Sequence, residues 1–373
     1  MLEKQKPYIA VMFIQLSFAG LFLLAKLAIS GSGMKPPVFV AYRQAFAFVT
    51  LAPFAFIFNK GSASITSQLP WHAHLKIFII SSYGLTLTMI LTLVGLKYTS
   101  ATFATATLNI APVLVFVMVV FCRIEKLAIR EWHGVAKVLG TMFGFLGAMV
   151  FTFYKGPSLF SSSHHENPTS SISENNTRTT KDWIKGSALL LAGEFTWSMW
   201  LTMQAPLLKR YPGNLRLTFL QTGYSCLSAI IYSASMERNI SSWKLGWNVN
   251  LLIVAYCGIV VNGFVTWLQT WVIEKKGAVF SANFGPLAVV FAAIISIIFL
   301  KETLYVGSIL GALLLAGGLY IFLWGTSKES QKESQQNLDP QKKEAQLDSI
   351  ITSISPTHED YNGQRKEDDR SRN

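Results

Sequence analysis

The sequence predicts an all-α polytopic membrane protein. About ten transmembrane helices are expected, as two inverted five-helix repeats with both termini cytoplasmic. Three observations predict this. Charged residues are only 14% of the 373 positions, against roughly 25% in an ordinary soluble domain. Apolar residues reach 51% and mean hydropathy is +0.38. An Asn-x-small-Pro motif also recurs, as Asn109-Ile-Ala-Pro112 and Asn283-Phe-Gly-Pro286, at an offset of 174 positions. So few charges cannot cover a water-soluble protein of this length, which argues against a soluble enzyme.

The elements follow from the length of the apolar runs. A bilayer core of roughly 30 Å takes about 20 helical residues. Runs of about that length cover Tyr8–Ile29, Val38–Phe58, Leu75–Val94, Ala101–Cys122 and Val135–Tyr154. Five more cover Ile184–Gln204, Leu215–Met236, Asn250–Ile273, Ala278–Leu300 and Leu304–Gly325. The first is too long for a signal-peptide core and no small-residue cleavage site closes it, so it reads as a retained helix. Residues 1–7 form a short cytoplasmic N-terminus, 8–154 the first repeat and 184–325 the second. The Ser/Thr/Asn-rich stretch 155–183 between them reads as a flexible outer linker. Residues 326–373 are rich in Gln, Glu, Lys and Ser with few aromatics, and predict a disordered cytoplasmic tail.

Charge sets the orientation. The chain is net +12, from 32 basic and 20 acidic residues, but the tail alone is net −2. With the N-terminus inside, the inner loops and helix ends hold 13 Lys/Arg and the outer ones 9, an inward bias that fits membrane insertion. The two Asn-x-Ser/Thr sequons free of Pro start at Asn175 and Asn239. Both fall on outer segments, where glycosylation is expected. Basic clusters on a solvated domain are missing, so nucleic acid is not an expected partner; the bilayer is.

The repeat carries the mechanism. Gly140 and Gly147 have the same spacing as Gly311 and Gly318, and the short charged turns at Glu125 and Glu302 precede the last helix of each half. An odd number of helices per copy makes the second copy run upside down. Inverted repeats with a site near the midplane are a transporter arrangement.

Ionisable and polar groups inside the membrane are costly, so they are the site candidates. Glu194 lies about ten residues into the sixth run, deeper than any other acid. Trp197, Leu201 and Gln204 share its helical face. A carboxylate beside an indole can hold an ammonium group by charge and cation–π attraction; a structural hydrogen bond is the plainer reading. Gln15, Asn109, Glu194, Trp197 and Asn283 are the expected substrate-binding residues. Pro112 and Pro286 are expected hinges, each freeing a carbonyl one turn back. Lys26 and Arg43 either snorkel to the outer interface or form a basic outer vestibule that draws carboxylates. Polar stripes at Ser81, Thr88, Thr92 and Gly95, at Thr218, Gln221, Ser225, Ser228 and Tyr232, and at Asn262, Thr266 and Gln269 line a pathway or join helices. Gly140-x-x-x-Gly144 and Gly307-x-x-x-Gly311 read as packing motifs.

No catalytic constellation is visible, and no His lies in a span. The adjacent His164 and His165 are the one metal-binding pair to consider, and no metal site or cofactor is expected. Cys122, Cys226 and Cys257 read as small buried hydrophobes. A GxxxxGK[ST] loop is missing, which argues against ATP-driven pumping.

Several stretches resemble a known family. They are Gln15-Leu-Ser-Phe-Ala-Gly-Leu, Val40-Ala-Tyr-Arg-Gln, Leu51-Ala-Pro-Phe-Ala, Lys97-Tyr-Thr-Ser-Ala-Thr-Phe, Arg123-Ile-Glu-Lys, Tyr154-Lys-Gly-Pro, Trp197-Ser-x-Trp and Leu304-Tyr-Val-Gly-Ser-Ile-Leu-Gly-Ala. Together, over about residues 7 to 326, they resemble plant drug/metabolite transporters with EamA-type repeats. The group is called walls-are-thin-related, nodulin-like, or usually-multiple-acids-move-in-and-out transporters. The resemblance implies a ten-helix facilitator or exporter of small organic solutes, amino acids foremost, with auxin for some members. It implies the plasma membrane, with the vacuolar membrane as the alternative. A receptor or scaffold that uses the same fold without transport is the competing class, and a lipid-modifying enzyme is third.

Overall fold

A computed structural model describes residues 2–31, 34–58, 70–99, 101–124, 131–154, 157, 180–211, 213–244, 249–300 and 305–354. Every regular element among them is helical. The first half contains α1 (Leu2–Gly31), α2 (Pro36–Phe58), α3 (Trp71–Ser81), a π-helical turn (Ser82–Leu87), α4 (Thr88–Tyr98), α5 (Ala101–Leu108), α6 (Ala111–Phe121) and α7 (Trp132–Phe153). The second half contains α8 (Thr180–Arg210), α9 (Asn214–Met236), a 3₁₀ turn (Ile240–Trp243) and α10 (Val249–Ala255). It continues with a second π segment (Tyr256–Val265), α11 (Thr266–Lys276), α12 (Ala278–Asn283), α13 (Leu287–Leu300) and α14 (Val306–Ile354).

Among the described residues, six helical stretches are long and apolar enough to cross a membrane: Pro36–Ile57, Trp71–Leu96, Trp132–Phe153, Val249–Lys276, Ala278–Ile298 and Val306–Glu329. The helices α8 and α9 are also long, at 31 and 23 residues, but more polar. Their polar side chains point inward. On α9, Thr218, Gln221, Ser225 and Ser233 are buried while Leu227, Ile230 and Ile231 are exposed. A water-soluble helix bundle has the opposite distribution. Hydrocarbon outside and polar contacts inside give this one.

The packing follows a two-fold pattern. The helices α2 and α9, second in each half, pack together, as do α7 and α14, the last in each half. The opening helix α1 packs on α13, and its counterpart α8 packs on α6. Helix breaks repeat at nearly the offset of the Asn-x-small-Pro motif. Backbone turns at Asn109–Ile110 separate α5 from α6, and turns at Phe284–Pro286 separate α12 from α13. The π segments begin at Ser82 and Tyr256, again 174 residues apart. Between α11 and α12 a single residue, Gly277, turns the chain with φ +87°, a conformation open to glycine because it has no Cβ.

The seam between α7 and α14 is built from glycine. A Cβ on Gly140 would lie 2.4 Å from the backbone N of Phe322, and one on Gly318 would lie 2.3 Å from the N of Gly144. Gly147 and Gly311 stand just as close to the opposite backbone. Across this pair the order is crossed: Gly140 faces Gly318, and Gly147 faces Gly311.

Two expectations change. Composition predicts disorder from Thr326, whereas the described helix runs on to Ile354. Lys, Glu and Gln are good helix formers, and they extend a helix already nucleated within the bundle. Glu329 bonds back to Lys137 of α7, and Lys332 to Glu131 just before it. Cys122, expected to be buried, is exposed at the end of α6, while Cys226 and Cys257 are buried.

Candidate functional site

The expected site residues sit where the two halves interlock. Gln15 on α1, Asn109 at the first helix break, Glu194 on α8 and Asn283 at the end of α12 are all buried. Glu194 is 4% exposed. The elements α6, α8 and α12, which carry or adjoin three of these groups, pack on one another. Trp197 is half-buried one turn beyond Glu194, and its ring stacks on Trp200 with centroids 4.9 Å apart. Trp200 in turn covers Gly84 of the first π turn, where a Cβ would be 2.4 Å from the indole.

The two breaks are closed by local bonds. Asn109 N–H donates to Ala106 O at 3.1 Å, and Asn283 Nδ2 donates to Val279 O at 2.9 Å. Pro112 lies at the first turn of α6, where a missing N–H costs nothing. The carbonyl of Ala282, one turn before Pro286, accepts from Gly285 N–H at 2.8 Å. It is occupied in this conformation.

Some expected pathway groups pair with each other. Gln204 and Gln221 exchange amide bonds of 3.4 and 3.3 Å between α8 and α9. Thr86 bonds Ser225 and Ser228, and Thr88 Oγ1 lies 2.6 Å from Thr196 Oγ1. These pairs join helices.

Arg43 departs most from expectation. It is 5% exposed and does not reach the outer interface. Its Nη1 donates to Met89 Sδ at 3.0 Å, its Nη2 donates to Asn262 Oδ1 of the second π segment, and its Nε has no partner among the described residues. The pairing was hidden because Asn262 lies 219 positions away. Gly84 and Gly258, also 174 apart and each inside a π segment, were the available signal for this layer. Lys26 lies on α1, but its side chain, like Asn175, Glu125, Glu302, His164 and His165, falls outside the described residues.

The helix ends carry ion pairs. Lys35 at the start of α2 holds Glu237 beyond α9 at 2.7 Å. The hydrogen bond from Lys35, ahead of one from the Asn239 backbone, holds the Glu237 carboxyl below its usual value. At the opposite end of the bundle, the hydrogen bond from Lys332 does the same for Glu131. Among the described residues no group of three His, Cys, Asp or Glu is placed to hold a metal. An apolar groove of about 270 Å³ lies on the outside of the α7–α14 seam, lined by Trp132, Leu139, Tyr320 and Trp324 among others. None of the expected site residues lines it.

An all-helical bundle with apolar outer surfaces, buried polar groups and matched helix breaks is an integral membrane protein of two related halves. The chain belongs to the EamA-like transporter family, whose model matches residues 5–153 and 184–324. Similar proteins include three WAT1-related proteins of Arabidopsis thaliana. One is 46% identical, over 89% of this chain and 94% of the relative. The second is 39% identical, over 91% and 96%, and the third 37%, over 88% and 83%. A solved crystal structure superposes with a TM-score of 0.62, covering 85% of this chain and 97% of that one at 17% identity. That likeness concerns the fold alone.

Proposed function

We propose that the chain moves small organic solutes, amino acids foremost, by alternating access between its two repeats. Ten spans with both termini cytoplasmic, in the plasma membrane, complete the reading. The observation that carries it is Glu194. A carboxylate at the middle of a helix, 4% exposed and with no ion pair or hydrogen bond to a described residue, has little structural use and a large desolvation cost. A solute ammonium group beside Trp197 would offset that cost by charge and cation–π attraction. In this reading Gln15, Asn109 and Asn283, buried like Glu194, supply neutral hydrogen-bonding groups, and the paired breaks at Pro112 and Pro286 supply the joints.

Radiotracer efflux from oocytes, with a panel of amino acids and indole-3-acetate, tests the reading. Flux of at least one amino acid is expected, with Glu194→Gln lowering it at least tenfold at equal surface expression. Flux of indole-3-acetate alone replaces the substrate class. Absence of any flux leaves the scaffold reading. Unchanged flux in Glu194→Gln removes the role of that carboxylate and keeps the transporter.

A further inference from the structure

We propose that Arg43 is the anion-binding group of the substrate site and takes a carboxylate at its unpartnered Nε–H; this rests on the transport reading above. A guanidinium presents five N–H donors in a rigid fork. Here one goes to Asn262 Oδ1 and one to the thioether of Met89, which is a weak acceptor. The Nε is buried without a partner. No carboxylate among the described residues lies within ion-pair distance of Arg43. Of the other cations among them, Lys137 is paired with Glu329 near the start of α7, and Arg216, which also has an Nε without a partner, is only half-buried near the start of α9. Arg43 therefore carries a buried, uncompensated charge with an Nε–H that has no partner among the described residues. Arginine stays protonated in proteins, and a cation at membrane depth without a counter-ion is costly. A carboxylate received side-on by Nε and Nη satisfies both the charge and the donors.

The surroundings are built to hold this side chain still. The second π segment presses on α2 at this point: a Cβ on Gly258 would lie 2.5 Å from Phe46 Cβ and 2.8 Å from the carbonyl of Arg43 itself. π segments inside α-helices are frequent at functional sites. Met89 follows Thr88, which bonds Thr196, two residues beyond Glu194 on α8. That bond ties the stretch of α4 that carries Met89 to the stretch of α8 that carries Glu194. One guanidinium neutralises one charge, which favours a monocarboxylate over a phosphate dianion.

The test uses the purified full chain in proteoliposomes. Probes are L-leucine, L-glutamine and indole-3-acetate, the matching amides L-leucinamide and indole-3-acetamide, and inorganic phosphate. At least one acid is expected to move, and its amide at least tenfold more slowly. Arg43→Lys keeps the charge without the fork and is expected to retain part of the acid flux. Asn262→Asp is the decisive variant because it leaves Arg43 in place and supplies an internal carboxylate. It is expected to melt no lower than wild type yet to lose acid flux at least tenfold. A purely structural Arg43 would give the first result without the second. Equal flux of acid and amide, phosphate moving in place of the acids, or wild-type acid flux in Asn262→Asp overturns the assignment and leaves transport standing. If nothing moves, the transport reading fails, and the melting temperature in detergent decides Arg43 alone. An upward shift by an acid probe that Asn262→Asp abolishes keeps the anion site; no shift ends it.

Discussion

Gln204 and Gln221 show how a single polar pair behaves in this bundle. Both are fully buried, and each amide donates to the other at 3.3–3.4 Å, long for hydrogen bonds. Replacing one glutamine with Leu leaves the other amide buried without a partner, which costs about 1–3 kcal/mol. Replacing both removes the unmet groups together and should be close to neutral. The double-mutant cycle is therefore expected to show strong non-additivity, with Gln204→Leu/Gln221→Leu more stable than either single variant. Unfolding in mixed detergent measures it; additive losses would mean that each amide serves something other than its partner. Periodicity alone placed both residues on inward faces. It could not say that they meet, because one helix face does not name the helix opposite.

At the scale of elements, the α7–α14 seam separates glycines that are needed from those that are not. A Cβ on Gly318 would enter the backbone of Gly144, whereas a Cβ on Gly144 would meet nothing within 4 Å. Gly318→Leu is expected to cost at least about 1–3 kcal/mol from overpacking. Gly144→Ala should be neutral or stabilise by up to about 1 kcal/mol through helix propensity. Melting temperatures of the two variants check this, and equal losses would contradict the packing. The glycine echo, the Asn-x-small-Pro breaks and the helix order were legible because each is a local pattern repeated in the chain. The π segments were less legible, since a π turn keeps its apolar composition and changes only the hydrogen-bond register. The burial of Arg43 was not legible at all. Its place near a helix end suggested snorkelling, and only the approach of the second π segment encloses it. The tail misled for a different reason: its low hydrophobicity argued against a core, but a helix needs no core of its own when it continues a packed one.

For the whole molecule, six cross-helix contacts near helix ends join groups that a ten-span inverted topology assigns to the same side. Lys35 meets Glu237, Tyr42 meets Trp243, and Lys185 meets Tyr98 on the side assigned as outer. Lys137 meets Glu329, Asn214 meets Glu274, and Lys276 meets Tyr8 on the other. The contacts sort the ends into two groups but do not choose which faces the cytosol; the inward excess of Lys and Arg makes that choice. Asn239 turns it into a measurement. The residue is exposed two positions past Glu237, and its Oδ1 accepts from Ser241 N–H at 3.1 Å in a turn that presents the side chain outward. With the assigned orientation, the chain made in a glycosylating host carries glycan that a peptide glycosidase removes. Asn239→Gln should abolish part of the mass shift, and Asn175→Gln together with it should abolish all. A cysteine placed at Ser327, next to the Lys137–Glu329 pair, should react with an impermeant maleimide only after permeabilisation, once Cys122 is replaced by Ser. Labelling of Ser327→Cys in intact cells, with no glycan on Asn239, would invert the molecule. The Lys35–Glu237 end would then face the cytosol, against the charge bias.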